Sequence, residues 1–288
     1  MDWARSFQRS IDYIEDNLTE PLDIGDIARR MNLSPFYYQK LFTIICGFPA
    51  GEYIRNRRLA LAGSELARSD ARVIDIALKY GYDTPEGFTR AFVKFHGVSP
   101  SAAKKGAPIR SFARLSVTVS MKGGSVMDYK IVKKEAFRVL EKKISCSVNG
   151  NSNVEIPKFW DKCRADGTVE RLLELTSDRT DIFGICYAHT QEKAQTFDYS
   201  IAAKIDDSAE IPEGFTANVI PARTWIVFEC RGAMPDAIQR LWHRICTEFF
   251  PSSELEPTYE MDVEAYKDGD MTSPDYRSEI WVPVAVDS

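Results

Sequence analysis

Between residues 258 and 266 every second position carries Thr258, Glu260, Asp262, Glu264 and Tyr266. On a β-strand that spacing puts three carboxylates and a phenol on one face. Such a face is either solvated surface or the floor of a site for a cation, and for Glu260 and Asp262 the solvated reading is the plainer one. The alternate residues Tyr259, Met261, Val263 and Ala265 suit packing under a helix. Glu279, close to Trp281 in the last apolar run, would combine charge with an aromatic wall. Tyr187, Tyr199, Trp225 and Trp281 fall in strand-like runs and could line a cleft, although aromatics on strands more often fill a core. Trp160 and Trp242 have apolar neighbours at helical spacing and read as packing residues. The six cysteines include no C-x-x-C pair, and His96, His189 and His243 have no partners at motif spacing. Neither a metal site nor a disulfide framework is therefore expected. With no nucleophile and base paired by any motif, no catalytic residue or cofactor is assigned and the chain is not read as an enzyme.

The composition narrows the partners. The chain has 288 residues, 27% of them charged and 44% hydrophobic, with a net charge of -5. No apolar run approaches the roughly 20 residues that span a bilayer, and the opening MDWARSFQRS lacks the apolar core of a signal peptide. A reducing cytoplasm and no membrane partner are the expectation. The mean charge conceals an asymmetry. Residues 1–127 carry 18 Lys and Arg against 13 Asp and Glu, a net +5, whereas residues 128–288 carry 19 against 29, a net -10. A basic half suits nucleic acid, and an acidic half suits a different partner.

Hydrophobic period divides the chain in the same place. Trp3, Phe7, Ile11, Ile14 and Leu18 follow helical spacing, and helical patterns continue to about residue 105. A stretch with Gly106, Pro108, Gly123 and Gly124 reads as a linker. Beyond it come strand-like runs at 137–148, 182–189, 197–205, 224–230, 258–266 and 279–284. Helical segments at 156–175, broken near Gly167, and at 235–250 interrupt them. The expected architecture is an all-α domain over 1–106, a linker over 107–126 and an α+β domain over 127–288. Within the first domain a unit occurs twice. Ser34-Pro35, Leu41-Phe42 and Gly47 recur 50 residues later as Thr84-Pro85, Ala91-Phe92 and Gly97, and Asp26-Ile27-Ala28 recurs as Asp75-Ile76-Ala77. Small Ala28 and Ala77 let two helices approach, Asn32 and Gly81 suit a left-handed turn, and Ser34 and Thr84 are N-caps followed by proline. This is a helix-turn-helix unit in duplicate. Arg55, Arg57 and Arg58, on the helical stretch between the copies, suit phosphate contacts or a solvated face.

The segments IGDIARRMNLSPFYYQKLF, GEYIRNRRLALAGSEL and IDIALKYGYDTPEGFTRAFVKFHGVSP resemble the arabinose-regulator family of bacterial transcription factors. The resemblance implies two recognition helices about one DNA turn apart, entering adjacent major grooves of double-stranded promoter DNA. It implies that Phe36, Gln39 and Lys40 face base edges with Tyr37 near the backbone, and that the second helix presents Pro85, Glu86, Gly87, Thr89 and Arg90. Gln39 could pair with adenine and Lys40 with guanine. Pro85 and Gly87 offer no side-chain hydrogen bond, so the first unit is expected to supply most direct readout and the second to anchor through Thr89 and Arg90. The order of domains resembles the right-origin-binding-protein branch. Its C-terminal domain is similar to gyrase-inhibitory proteins and multidrug-sensing effector domains. That likeness rests on DYKIVKKEAFRVLEKKIS and MDVEAY…YRSEIWVPV, and implies two strand-helix-strand-strand halves with a cleft between them. Glu264 matches a glutamate that pairs with cationic drugs in such relatives. The implied function is a transcriptional regulator whose C-terminal domain takes a small cationic or aromatic effector, with RNA polymerase a candidate partner. The alternatives are a C-terminal hydrolase of reactive small molecules and an interaction module for a basic protein.

Overall fold

The computed structural model describes residues 3–117, 126–147, 152–176, 181–188 and 196–285. His189 and residues 118–125 of the expected linker lie outside them. By contact the chain separates into two units, one made of Met1–Asn32 with Cys46–Ser120 and the other of Leu33–Ile45 with Met121–Ser288. The first expected recognition helix thus groups with the C-terminal half.

The first unit is helical. It contains α1 (Trp3–Asp16) and α2 (Ile24–Arg29), and, after α3 (Pro35–Cys46), which groups with the second unit, α4 (Ala50–Arg68), α5 (Val73–Lys79), α6 (Pro85–His96) and α7 (Pro100–Lys104). The apolar stripe of α1 buries Phe7, Ile11 and Ile14, as its spacing predicts. Asp23 caps α2 by accepting from the amides of Gly25 and Asp26. In the second copy of the repeat, Leu59 and Leu66 of α4 pack with Ala77, Phe88 and Phe92. The turn of each copy has the left-handed residue the repeat predicts, Asn32 at φ 56° and Gly81 at φ 80°. Thr84 Oγ1 accepts from the Gly87 amide at 3.1 Å, so α6 starts as its cap dictates. The arginines of α4 differ from expectation. Arg57 grips Glu15 through Nε and Nη2 at 2.8 and 2.7 Å, and Arg58 donates to the carbonyls of Leu18 and Glu20. Both are spent tying the N-terminal segment to α4, which leaves Arg55 as the exposed cation of the three.

The second unit is built on one antiparallel sheet. Its strands are β1 (Tyr129–Lys134), β2 (Phe137–Ser147), β3 (Asp181–Tyr187), β4 (Thr196–Lys204), β5 (Thr216–Ile220), β6 (Arg223–Arg231), β7 (Met261–Lys267) and β8 (Arg277–Pro283), in the order β1-β6-β8-β7-β3-β4-β2-β5. Helices α8 (Ser152–Ala165) and α9 (Thr168–Leu175) lie between β2 and β3 in the chain. Gly167, at φ 77°, breaks them where the sequence predicts. Helix α10 (Asp236–Arg244) lies between β6 and β7 and continues through a π-helical turn to α11 (Phe250–Ser252). Two strand-helix-strand-strand halves follow, β2-α8/α9-β3-β4 and β6-α10-β7-β8, meeting where β3 pairs with β7. Strands β1 and β5 are edge additions. One face of the sheet packs under helices, with Ile226, Phe228 and Ile280 against Ile238, Leu241 and Trp242 of α10. The other face is filled by strand side chains, among them Phe183, Trp225, Val263 and Trp281. Among the described residues no helix is long and apolar enough to cross a membrane.

Candidate functional site

Parity along β7 decides which residues meet. Tyr259 takes a left-handed backbone at φ 55°, so regular alternation begins only at Met261. A positive φ is costly for a bulky residue, and its neighbours set it. Thr258 and Glu260 accordingly leave the pattern, and Glu260 pairs with Arg223. From Met261 onward the odd residues Met261, Val263 and Ala265 join the strand-filled face. The helices cover the opposite face, that of Asp262, Glu264 and Tyr266, which reverses the expectation for the strand. Asp262 pairs across the seam with Cys186, and Glu264 with Gly184.

This face is the floor of a cleft with an aromatic wall from each half. Glu264 accepts from Trp242 Nε1 of α10 at 2.7 Å and from the Tyr266 hydroxyl at 2.7 Å. On the other side Trp160 Nε1 of α8 donates to the Tyr199 hydroxyl at 2.7 Å, and the Trp160 and Tyr266 rings meet edge to face at 5.3 Å. Gly184 makes room for the Tyr199 hydroxyl, since a Cβ there would collide with it. Burial pushes the Glu264 carboxyl above its ordinary value, against the opposing pull of Lys40 and of its two hydrogen bonds. Burial also raises the hydroxyls of Tyr199 and Tyr266 well above the usual phenol range, with Glu264 adding to both. Both hydroxyls stay protonated, Tyr266 donating to Glu264 and Tyr199 accepting from Trp160. Two carboxylates in an aromatic enclosure attract a cation, by charge and by the ring faces.

A cation from the chain itself occupies the cleft. Lys40 Nζ lies 2.7 Å from Asp262 Oδ1 and 3.9 Å from the centre of the Trp242 ring. Its side chain is 17% exposed and that of Asp262 is 1% exposed. Burial opposes the ammonium charge, but the attraction of Asp262 outweighs it and Lys40 titrates above its ordinary value. The Tyr37 hydroxyl donates to Asp262 Oδ2 at 3.0 Å, and its ring meets that of Tyr259 at 5.0 Å. The Phe36 ring packs on Phe197 of β4 at 4.2 Å. Further along α3, Leu41 and Ile44 pack against the cluster beneath α10.

The sequence-predicted residues therefore divide. Of the six expected to contact a ligand, Glu264 and Tyr199 belong to this cleft. Tyr187, Trp225 and Trp281 belong to the strand-filled face, as does Glu279, which pairs with Ala265 in the β7–β8 ladder. Odd parity on β3, β6 and β8 puts them there. Glu279 accepts from Trp281 Nε1 at 2.7 Å and from Lys130 at 3.3 Å, and Lys134 sits 4.0 Å over the Trp281 ring. Tyr187 donates to the wholly buried Glu141 at 2.8 Å, and Lys143 pairs with the same carboxylate. Those carboxylates already have cations of their own. Asp262, Trp160, Trp242 and Tyr266 are the cleft residues that the sequence reading left as surface or packing, and the even parity of Asp262 and Tyr266 with Glu264 was the available signal.

The residues expected to read DNA also divide. Pro85, Glu86 and Arg90 are exposed on α6 and Thr89 is half-buried. Phe36, Tyr37 and Gln39 are buried, and Lys40 is held by Asp262. The expectation that the first unit supplies most direct readout meets a structure in which that helix is covered and α6 is open.

The family model of the integron-associated effector binding protein matches residues 130–284, and a helix-turn-helix domain model matches residues 27–106. The transcriptional activator AarP of Providencia stuartii is 44% identical over 89 residues, which are 31% of this chain and 66% of AarP. The regulatory protein SoxS of Salmonella typhimurium is 34% identical over 101 residues, 35% of this chain and 94% of SoxS. The chain thus spans just under two-thirds of AarP. Among solved structures, SAV2435 bound to tetraphenylphosphonium aligns with a TM-score of 0.50 and 26% identity, over 55% of this chain and 94% of that one.

Proposed function

Because the chain belongs to the arabinose-regulator type of helix-turn-helix proteins and carries a domain of the integron-associated effector-binding family, we propose that it is a one-component transcriptional regulator responsive to a lipophilic cation. In this reading residues 1–106 hold the DNA-reading elements, residues 107–126 link them to the rest, and residues 127–288 sense the effector. DNA contact is assigned to Phe36, Tyr37, Gln39 and Lys40 of α3 and to Pro85, Glu86, Thr89 and Arg90 of α6. A regulator bound at a promoter would act through RNA polymerase.

One observation carries the choice of effector: Asp262 and Glu264 lie on one face of the same strand beside Trp242, and the group that Asp262 holds is an ammonium over that indole ring. A flat or bulky organic cation satisfies the same demands, because it is weakly hydrated and gives up little on entering, and its positive charge meets both carboxylate and ring face. The cation bound by SAV2435 has that chemistry. Calorimetric titration of the full chain with tetraphenylphosphonium is expected to give saturable binding that Glu264→Gln weakens by about tenfold or more, equivalent to about 1.4 kcal/mol. A flat titration, or a Glu264→Gln variant that binds as well as the parent, would refute the reading.

A further inference from the structure

The five side chains of α3 that pack within the second unit, Phe36 on β4, Tyr37 and Lys40 on Asp262, and Leu41 and Ile44 on the cluster beneath α10, recur at helical spacing and form one face. Three of them are also residues to which the proposed function gives a DNA contact. A side chain cannot lie against Asp262 and against a base edge at the same time. From this geometry we infer that α3 is the resident occupant of the effector cleft, with the Lys40 ammonium standing where the cationic effector binds, so that effector entry and exposure of the DNA-reading face of α3 are one event. The inference rests on the cation-binding reading above and adds its regulation.

The link is competition for one set of partners. An effector that took Asp262, Glu264 and the Trp242 face would displace Lys40, and the Tyr37 hydrogen bond to Asp262 would be lost with it. While α3 remains there, Asp262 and the Trp242 face are already taken, so the effector binds the open state more tightly. A ligand that binds one of two states shifts the population toward that state, and its measured affinity falls by the fraction of protein already open. Two consequences follow that a merely structural contact would not produce. Removing the internal cation should strengthen binding of an external one, and adding the external one should expose α3.

Both are measurable on the full chain with tetraphenylphosphonium as the probe. Lys40→Ala removes the competitor and leaves Asp262 without its counter-charge, and is expected to raise affinity for the probe by about fivefold or more by calorimetry. Tyr37→Phe, which deletes one hydroxyl and keeps the ring, should act in the same direction with smaller effect. In the parent protein, amide hydrogen exchange over residues 35–46 should accelerate when the probe is added. Equal affinity of the parent and both variants, with exchange in α3 unaffected by probe, overturns the inference and leaves the effector reading standing. Weaker binding by Lys40→Ala also overturns it, since Lys40 would then assist the ligand. If neither the parent nor the variants bind the probe, the effector reading fails and the linkage falls with it.

Discussion

The pair of Lys40 and Asp262 can be weighed directly. Asp262→Ala deletes the acceptor of a 2.7 Å ion pair and of the 3.0 Å bond from the Tyr37 hydroxyl. Asp262 and Tyr37 are buried and Lys40 is only 17% exposed, so solvent screens the pair in part. Removing one partner of a buried ion pair costs about 3–5 kcal/mol, much of it from the charge left behind. Part of that cost is avoidable: Glu264 still attracts the ammonium, the indole beneath it contributes about 0.5–2 kcal/mol, and α3 can leave the cleft so that Lys40 regains water. The single variant therefore reports the smaller of two quantities, the cost of staying and the cost of unseating. A double-mutant cycle with Lys40→Met separates them, because methionine keeps the stem against Trp242 and deletes only the charge. The expected coupling is about 2–3 kcal/mol, the upper range for residues in contact, read from urea unfolding of the four proteins followed by tryptophan fluorescence. A coupling under about 0.5 kcal/mol would mean that the two charges do not hold each other, and the account of the cleft would be wrong at its centre.

Three further outcomes follow from features elsewhere. Gly184→Ala puts a methyl group against the Tyr199 hydroxyl and should displace it from Trp160, lowering stability by about 1–3 kcal/mol; an unchanged melting temperature would contradict the packing described. Burial works to raise the Glu15 carboxyl, but the hydrogen bonds from Arg57 and Tyr53 prevail and hold it below its ordinary value. Its clamp on α4 is thus fully present above the unfolded glutamate pKa and is lost as pH falls through the depressed folded value. Glu15→Gln should flatten the acid limb of the stability curve, and an identical limb in parent and variant would count against this. Arg90→Ala should weaken binding to all duplexes about equally and reduce the salt slope by about 1, as gel shifts over a salt series can show; a loss confined to one sequence would make Arg90 a base reader.

Much of the fold was legible because local chemistry and global structure agree. The repeat announced itself through caps and turns that each have one physical use, and Asn32, Gly81, Thr84 and Gly167 adopt the conformations their types favour. The two-half sheet was legible as strand-like runs around two helical segments, although the edge strands β1 and β5, short and exposed, were not delimited. The site was half legible. Alternation puts Glu264 and Asp262 on one face, but nothing in the spacing tells which face the helices will cover, and the left-handed Tyr259 interrupts a pattern that looks continuous. Trp160 and Trp242 have the neighbours of ordinary core residues, since a cleft wall and a core share their apolar chemistry. The place of α3 was hidden for a different reason: an amphipathic face with one lysine and two aromatics suits both a groove of DNA and an acidic aromatic cleft.

The seam between the two halves has a consequence of its own. Their matching topology supplies a tryptophan from each side, so the walls of the cleft are nearly mirrored in kind. The charge is not. Where β7 contributes Asp262 and Glu264, the facing positions on β3 are Cys186 and Gly184, which bring no charge and, at Gly184, no side chain at all. A duplicated frame has thus been given a single pole. A molecule with one positive end would meet a field that points toward β7 and α10, with its apolar remainder directed toward Trp160 and Tyr199. It would enter in one orientation rather than two, and Lys40, with its ammonium at Asp262 and Trp242, already lies at that pole.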